Sequence, residues 1–268
     1  MRSIIFGAVL ILTYAGAVSA QTPAVAQGGV LNGASFATGQ PVAPGSLVSI
    51  FGTNFATGNA LAGSIPLSNS LENVSVTFGN VQAPLLGVFH DPVNGDQINA
   101  QIPWEVSGGS TSVVVKNGNG TSAPVSVNLA TAPGIFAFGT QAIAYGNLDG
   151  VIAAANGAIP GLTTHPAKIN DPATLVILAT GLGPVNPPLQ TGNIVTDGQI
   201  HSTATTPAVT VGNVPAQVVF SGMTPQFVGV YQINIIIQPG TPTGNAVPLQ
   251  ITMGSVTTPN NITIAVSN

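Results

Sequence analysis

Val76-Thr77-Phe78-Gly79-Asn80-Val81-Gln82-Ala83, followed by Gln97-Ile98-Asn99, returns later in the chain as Val209-Thr210-Val211-Gly212-Asn213-Val214-Pro215-Ala216 followed by Gln232-Ile233-Asn234. Gly212 lies 133 residues beyond Gly79, and Gln232 lies 135 beyond Gln97. The repeated positions are strand and turn residues, and none is an acid, a base, a thiol or a metal ligand. Flanking segments fit with small gaps. Pro44 with Leu47-Val48 answers Pro172 with Leu175-Val176, and Pro124 answers Pro259. A period above one hundred residues exceeds any solenoid repeat and suits a whole small domain. The expected organisation is therefore two tandem domains related by internal duplication, residues 21–130 and 131–268.

Strand signals are dense around this frame. Leu47–Phe51, Val74–Phe78, Ser112–Val115, Val125–Val127 and Ile262–Val266 are rich in β-branched residues and bounded by Gly, Pro or Asn. Turn dipeptides such as Asn117-Gly118 and Asp149-Gly150 suit antiparallel hairpins rather than crossover helices. The expected fold class is all-β, a pair of immunoglobulin-like β-sandwiches. Ile143–Tyr145 and Val151–Ala153 predict a hairpin before the second sandwich, and Pro184–Pro207 predicts a long irregular loop within it.

The first twenty residues read as a signal peptide. Met1-Arg2 supplies a positive charge, Ile4 to Val18 an apolar stretch, and Val18-Ser19-Ala20 small residues before a cut ahead of Gln21. The chain has no cysteine, so neither a lipid-modified anchor nor a disulfide is expected. No later apolar run is long enough to span a bilayer. The expected location is exported: periplasmic, or extracellular at the cell surface.

Beyond residue 20 the chain holds 2 lysines, no arginine and 7 acidic residues. That balance argues against nucleic acid as a partner, because phosphate binding relies on clustered Lys and Arg. Charged residues make up 4% of the sequence, against about 25% in ordinary globular proteins, so the surface must be built from amides, hydroxyls and backbone. Weak charge repulsion between copies also makes self-association an expectation.

Ala43-Pro44-Gly45-Ser46-Leu47-Val48-Ser49-Ile50-Phe51-Gly52-Thr53-Asn54-Phe55, followed by Val74 to Pro84, resembles IPT/TIG domains, in which a Pro-Gly turn precedes a strand ending in Gly-x-Asn-Phe. A broader set is similar to an uncharacterised C-terminal domain family of exported acidobacterial proteins. It comprises Asn32–Phe36, Gln97–Trp104, Pro133–Phe136, Ala179–Pro184 and Gly229–Asn234. These resemblances imply an immunoglobulin-like fold and no established activity.

The candidate binding residues are amides and aromatics. In an extended strand Gln97, Asn99 and Gln101 share one face while Ile98, Ala100 and Ile102 share the other. Gln232 and Asn234 repeat the pattern opposite Tyr231, Ile233 and Ile235. Such amides fix strand register or, beside an aromatic ring, bond sugar hydroxyls. Trp104 and Tyr145 are the candidate rings, with a core or interdomain plug as the other reading of Trp104. Asp91, Asn94 and Asp96 have oxygen ligands at a spacing that curves around calcium, or alternatively form an Asx turn closed by Gly95. His90, His165 and His201 sit in no recognised catalytic motif, so no enzyme activity and no cofactor are expected. The expected function is a non-catalytic exported module for adhesion, protein contact or assembly. The alternative is a carbohydrate-binding module, and an unrecognised hydrolase ranks below both. The partner is then a protein or a polysaccharide at the cell surface.

Overall fold

The computed structural model describes residues 21–268, so the expected signal peptide lies outside the described residues. Within them the chain is all-β, without helices, and no helix is long and apolar enough to cross a membrane. Four sheets form, consistent with two β-sandwich units.

The first unit contains β1 (Ala24–Asn32), β2 (Leu47–Thr53), β3 (Ala60–Leu61), β4 (Ser75–Phe78), β5 (Val81–Ala83), β6 (Leu85–Phe89), β7 (Asp96–Gln101), β8 (Ser110–Asn117), β9 (Gly120–Thr121) and β10 (Val125–Asn128). One sheet runs β1-β2-β7-β6-β3, and the other runs β10-β8-β4-β5 with β9 beside β8. Ile50, Val88, Ile98 and Ala100 from the first sheet meet Val76, Phe78, Val113 and Val115 from the second in one buried cluster.

The second unit begins with short pieces: β11 (Gly134–Ile135), β12 (Ala137–Phe138), β13 (Gln141–Ala142), β14 (Ala144–Gly146), β15 (Ile152–Ala153), β16 (Thr164–His165) and β17 (Ala167–Lys168). Then come β18 (Leu175–Thr180), β19 (Val185–Asn186), β20 (Ser202–Thr203), β21 (Ala208–Val211), β22 (Val214–Pro215), β23 (Gln217–Met223), β24 (Tyr231–Ile236), β25 (Gly244–Met253), β26 (Val256–Thr257) and β27 (Thr263–Ser267). Its sheets run β16-β15-β14-β18-β24-β23-β20-β19 and β12-β13-β27-β25-β21-β22. A separate cluster, including Ile177, Tyr231, Ile233, Ile235, Leu249, Ile251 and Ile264, fills the space between them.

The strand order β2-β7-β6-β3 is matched by β18-β24-β23-β20, and β10-β8-β4-β5 by β27-β25-β21-β22. Both copies of the quoted phrase form a tight hairpin at the same sheet position, β4–β5 and β21–β22. Gly79 (φ 59°) and Gly212 (φ 57°) open these two-residue turns in the left-handed region, which costs glycine little and matches the strand twist. The stretch Pro184–Pro207 departs from the expected irregular loop. Val185 and Asn186 pair with Thr203 and Ser202, so its ends close as a ladder onto β23.

Candidate functional site

β7 is the middle strand of its sheet, and its inward residues Ile98 and Ala100 are wholly buried. Its outward residues are Gln97 and Asn99. Across the neighbouring strands Gln97 stands between Phe51 of β2 and Phe89 of β6, while Asn99 stands between Ser49 and Gly87. The outer face therefore carries an aromatic, an amide and an aromatic in one row, and a hydroxyl, an amide and a glycine in the next. A Cβ on Gly87 would come within 2.8 Å of the Phe89 ring, so the glycine lets that ring lie down along the sheet. Phe36, 46% exposed, extends the row, with its centroid 6.3 Å from that of Phe51 and its plane tilted by 55°. That geometry falls in the favoured range for tilted aromatic pairs.

The amides are fixed by one another. Gln97 Nε2 donates to Asn99 Oδ1 at 2.7 Å and to Ser49 Oγ at 3.3 Å, and Ser49 Oγ donates to Asn99 Oδ1 at 2.9 Å. Gln97 Oε1 and Asn99 Nδ2 are thereby aimed and, among the described residues, have no side-chain partner of their own. One acceptor stands between two rings and one donor in the row beside it, on a face without a charged group.

The second unit repeats the Gln-x-Asn strand, but with a single cross-strand phenylalanine that stands beside the Asn rather than two beside the Gln. Asn234 lies between Val176 and Phe220, and Gln232 between Leu178 and Gly222. Gln232 Nε2 reaches Asn234 Oδ1 at 3.4 Å, and the Phe220 ring lies over Gly222. Tyr145 continues the row beyond Val176, and burial raises its pKa above the ordinary tyrosine value. Composition and alternation flagged the amides but missed Phe51, Phe89 and Phe220. The signal that finds them is the cross-strand register, which only the pairing supplies.

Gln101 and Trp104 take a different place. The alternation assigned Gln101 to the polar outer face, yet its side chain is 0% exposed. Gln101 Oε1 accepts from Gly192 N at 2.7 Å, and Nε2 donates to Gly45 O at 3.0 Å, so the amide joins the first unit to a loop of the second. Trp104 packs against the second unit's core cluster, and its ring covers Gly45, where a Cβ would collide with it. Its backbone N donates to Thr191 Oγ1 at 3.0 Å, and Thr191 Oγ1 donates to Glu105 Oε2 at 2.7 Å. Trp104 Nε1 is the one buried side-chain polar atom without a partner among the described residues. Asn32 Nδ2 donates to Ala132 O at 2.9 Å in the connecting segment. Leu47 N donates to Thr180 Oγ1 at 3.0 Å, and that hydroxyl donates to Gly229 O at 2.8 Å. Trp104 is thus a plug between units rather than a ring beside the amide row.

Asp91, Asn94 and Asp96 are engaged separately. Asp91 Oδ1 accepts from Val93 N and Asn94 N at 2.8 and 3.0 Å, and Oδ2 accepts from Asn94 Nδ2 at 2.7 Å. These bonds hold its pKa below the ordinary carboxylate value, with the Asn94 side chain contributing most. Asp96 is buried, and its Oδ2 accepts from Phe55 N at 2.6 Å while Oδ1 meets His90 Nδ1 at 2.7 Å. Among the described residues no group of three or more His, Cys, Asp or Glu converges as a metal site would require.

Each histidine faces an aspartate: His90 with Asp96, His165 with Asp149 at 2.8 Å, and His201 with Asp197 at 3.2 Å. His165 Nδ1 also faces Pro166 O at 3.0 Å, and His201 Nδ1 faces Pro187 O at 2.7 Å. Among the described residues no ring nitrogen bonds a hydroxyl, the contact a nucleophile relay would need.

Residues 17–129 match the IPT/TIG domain. The amide–aromatic row of Phe51, Gln97 and Phe89 lies within those matched residues. No curated protein matches the chain. Among solved structures the chain is similar to the plexin A4 full extracellular region, at 11% identity over 96% of this chain and 19% of that one, with a TM-score of 0.30. It is also similar to SGBP-B of the Bacteroides ovatus mixed-linkage glucan utilization locus, solved with a mixed-linkage heptasaccharide, at 14% identity over 85% and 44%, with a TM-score of 0.33. A third is domains 5-6 of the S-layer protein SbsC, at 17% identity over 92% and 99%, with a TM-score of 0.22. The chain spans less than half the length of the first two.

Proposed function

We propose that this chain is a non-catalytic exported adhesion module that holds a neutral polysaccharide on the outer face of its TIG unit. One observation carries the reading: Gln97 is locked between Phe51 and Phe89 with its Oε1, and the neighbouring Asn99 Nδ2, left for a ligand. Rings stack on the apolar faces of sugar rings, and an oriented acceptor and donor bond hydroxyls. The absence of charge on this face suits a ligand that carries none. The matched strand order of the two units supports descent from one duplicated unit, with the face around Asn234 and Phe220 as a second copy.

The test is binding of the purified protein to an array of plant, fungal and bacterial polysaccharides, with Phe51→Ala and Gln97→Ala alongside. Saturable binding that falls about tenfold or more in either variant, with an unchanged circular dichroism spectrum, is expected. If folded protein binds no polysaccharide in the array, the ligand class is wrong. If binding survives both variants, the face is wrong.

A further inference from the structure

A cavity of about 420 Å³ opens at one end of the second unit. The β14–β15 turn, the β16–β17 stretch and the turn into β18 stand over the last residues of β24 and β27. Its floor is core: Ala153, Leu175, Ile235 and Ile237 are all buried. Its volume lies within the range of small-molecule sites, about 300–1,000 Å³. The walls between residues 146 and 168 belong to this unit alone, since the matching sheet of the first unit has only β1 beyond β2.

The rim is unusual for this chain. Only nine charged residues occur beyond residue 20, and three of them, Asp149, Lys168 and Asp171, line this one cavity together with His165. Two of the four groups are already used: His165 Nε2 holds Asp149 Oδ2 at 2.8 Å, and its Nδ1 faces Pro166 O. The other two are not. Lys168 makes no ion pair among the described residues, and so does not reach Asp171 within pairing distance. Asp171 Oδ1 accepts from Ala173 N at 2.9 Å, which leaves Oδ2 without a partner among the described residues. A separated ammonium and carboxylate at the rim of an apolar floor complement a molecule with both charges on its head and an apolar tail.

We propose that this cavity binds a free α-amino acid with an apolar side chain. The ligand's carboxylate meets Lys168, its ammonium meets Asp171, and its side chain lies on Leu175, Ile235 and Ile237. The site is separate from the amide–aromatic face and stands or falls without it.

Isothermal titration calorimetry of the purified protein tests this with L-leucine, L-phenylalanine, glycine, N-acetyl-L-leucine and L-leucine methyl ester. Saturable binding of leucine or phenylalanine is expected. Glycine, which lacks the side chain, and the acetyl and ester forms, each lacking one charge, should bind about tenfold or more weakly. Lys168→Gln and Asp171→Asn should each weaken leucine by a similar factor. Asn keeps an oxygen for Ala173 N, and the exposed Lys168 carries little of the fold, so at least one variant remains folded for the comparison. Failure of both leucine and phenylalanine to bind at up to about 10 mM overturns the proposal. So does binding that either capped form or either folded variant matches.

Discussion

Replacing Gln101 by leucine keeps nearly the same volume at a site that is 0% exposed, while removing the bond to Gly192 across the units and the bond to Gly45 that anchors the amide in the first unit. Gly192 N and Gly45 O then lose their amide partner in places where both glycines are buried. Each stranded backbone group costs about 1–3 kcal/mol, so the pair costs at least about 2 kcal/mol. For a chain of this size each kcal/mol lowers Tm by about 2–4 °C, so the expected fall is at least about 4 °C. The loss lies at the seam rather than in either core, so it should also uncouple the units. Differential scanning calorimetry of Gln101→Leu should show a broadened or split transition where the parent shows one. Gln101→Glu serves as a comparison, since it keeps an acceptor for Gly192 N but loses the donor to Gly45 O. A Gln101→Leu protein that melts within about 1 °C of the parent in a single transition would refute the argument that this amide ties the units together.

Other outcomes follow from the same contacts. Gly45→Ala puts a methyl into the Trp104 ring at a residue with φ 80°, and should lower stability by more than about 1 kcal/mol in urea, with Trp104 emission reporting the opening. Tyr231→Phe removes the bond from the buried phenol to Gly183 O and should cost about 1–2 kcal/mol in the same assay. Burial also raises the Tyr231 pKa, so its contribution is complete below about pH 10 and is lost as pH climbs above that value; alkaline unfolding should begin later in Tyr231→Phe. The Pro166 carbonyl, and after it Asp149, raise the His165 pKa above 6.5. Its share of stability is therefore complete below pH 6.5 and fades as pH rises through the raised value. The amide of Val151, and after it His165, lower the Asp149 pKa below 3.8, so that share is present above 3.8 and fades as pH falls through the lowered value. An NMR titration that places His165 at or below 6.5 would contradict this account of the turn.

Much of the β architecture was legible because it is local. Alternation in Gln97–Ile102 and Tyr231–Ile235 marks which residues enter a core, and Gly-Asn flanked by β-branched residues marks a hairpin. Alternation does not say what covers the other face. Gln101 keeps the phase of Gln97 and Asn99, but a loop ninety residues away lies over it, so it is buried where they are half open. A lone Trp in a sandwich favours a plug over a binding ring, and its contact with the second core is what places Trp104. The role of Phe51 beside Gln97 depends on a pairing partner 46 positions away. Asp91 and Asn94, by contrast, bond within their own turn, so the Asx reading was available from the sequence, whereas the inward rotation of Asp96 toward Phe55 N was not. The three His–Asp pairs are closed by loops whose course the sequence pattern does not encode.

The outer face around Gln97 holds rings, amides and a hydroxyl and no formal charge. Attraction made of ions weakens as salt shortens the Debye length, from about 30 Å at 0.01 M to about 3 Å at 1 M. Stacking and amide bonding have no such dependence to lose. A grip made by Phe51, Gln97, Phe89 and Asn99 would therefore not be screened away in brine, where an ionic one would be.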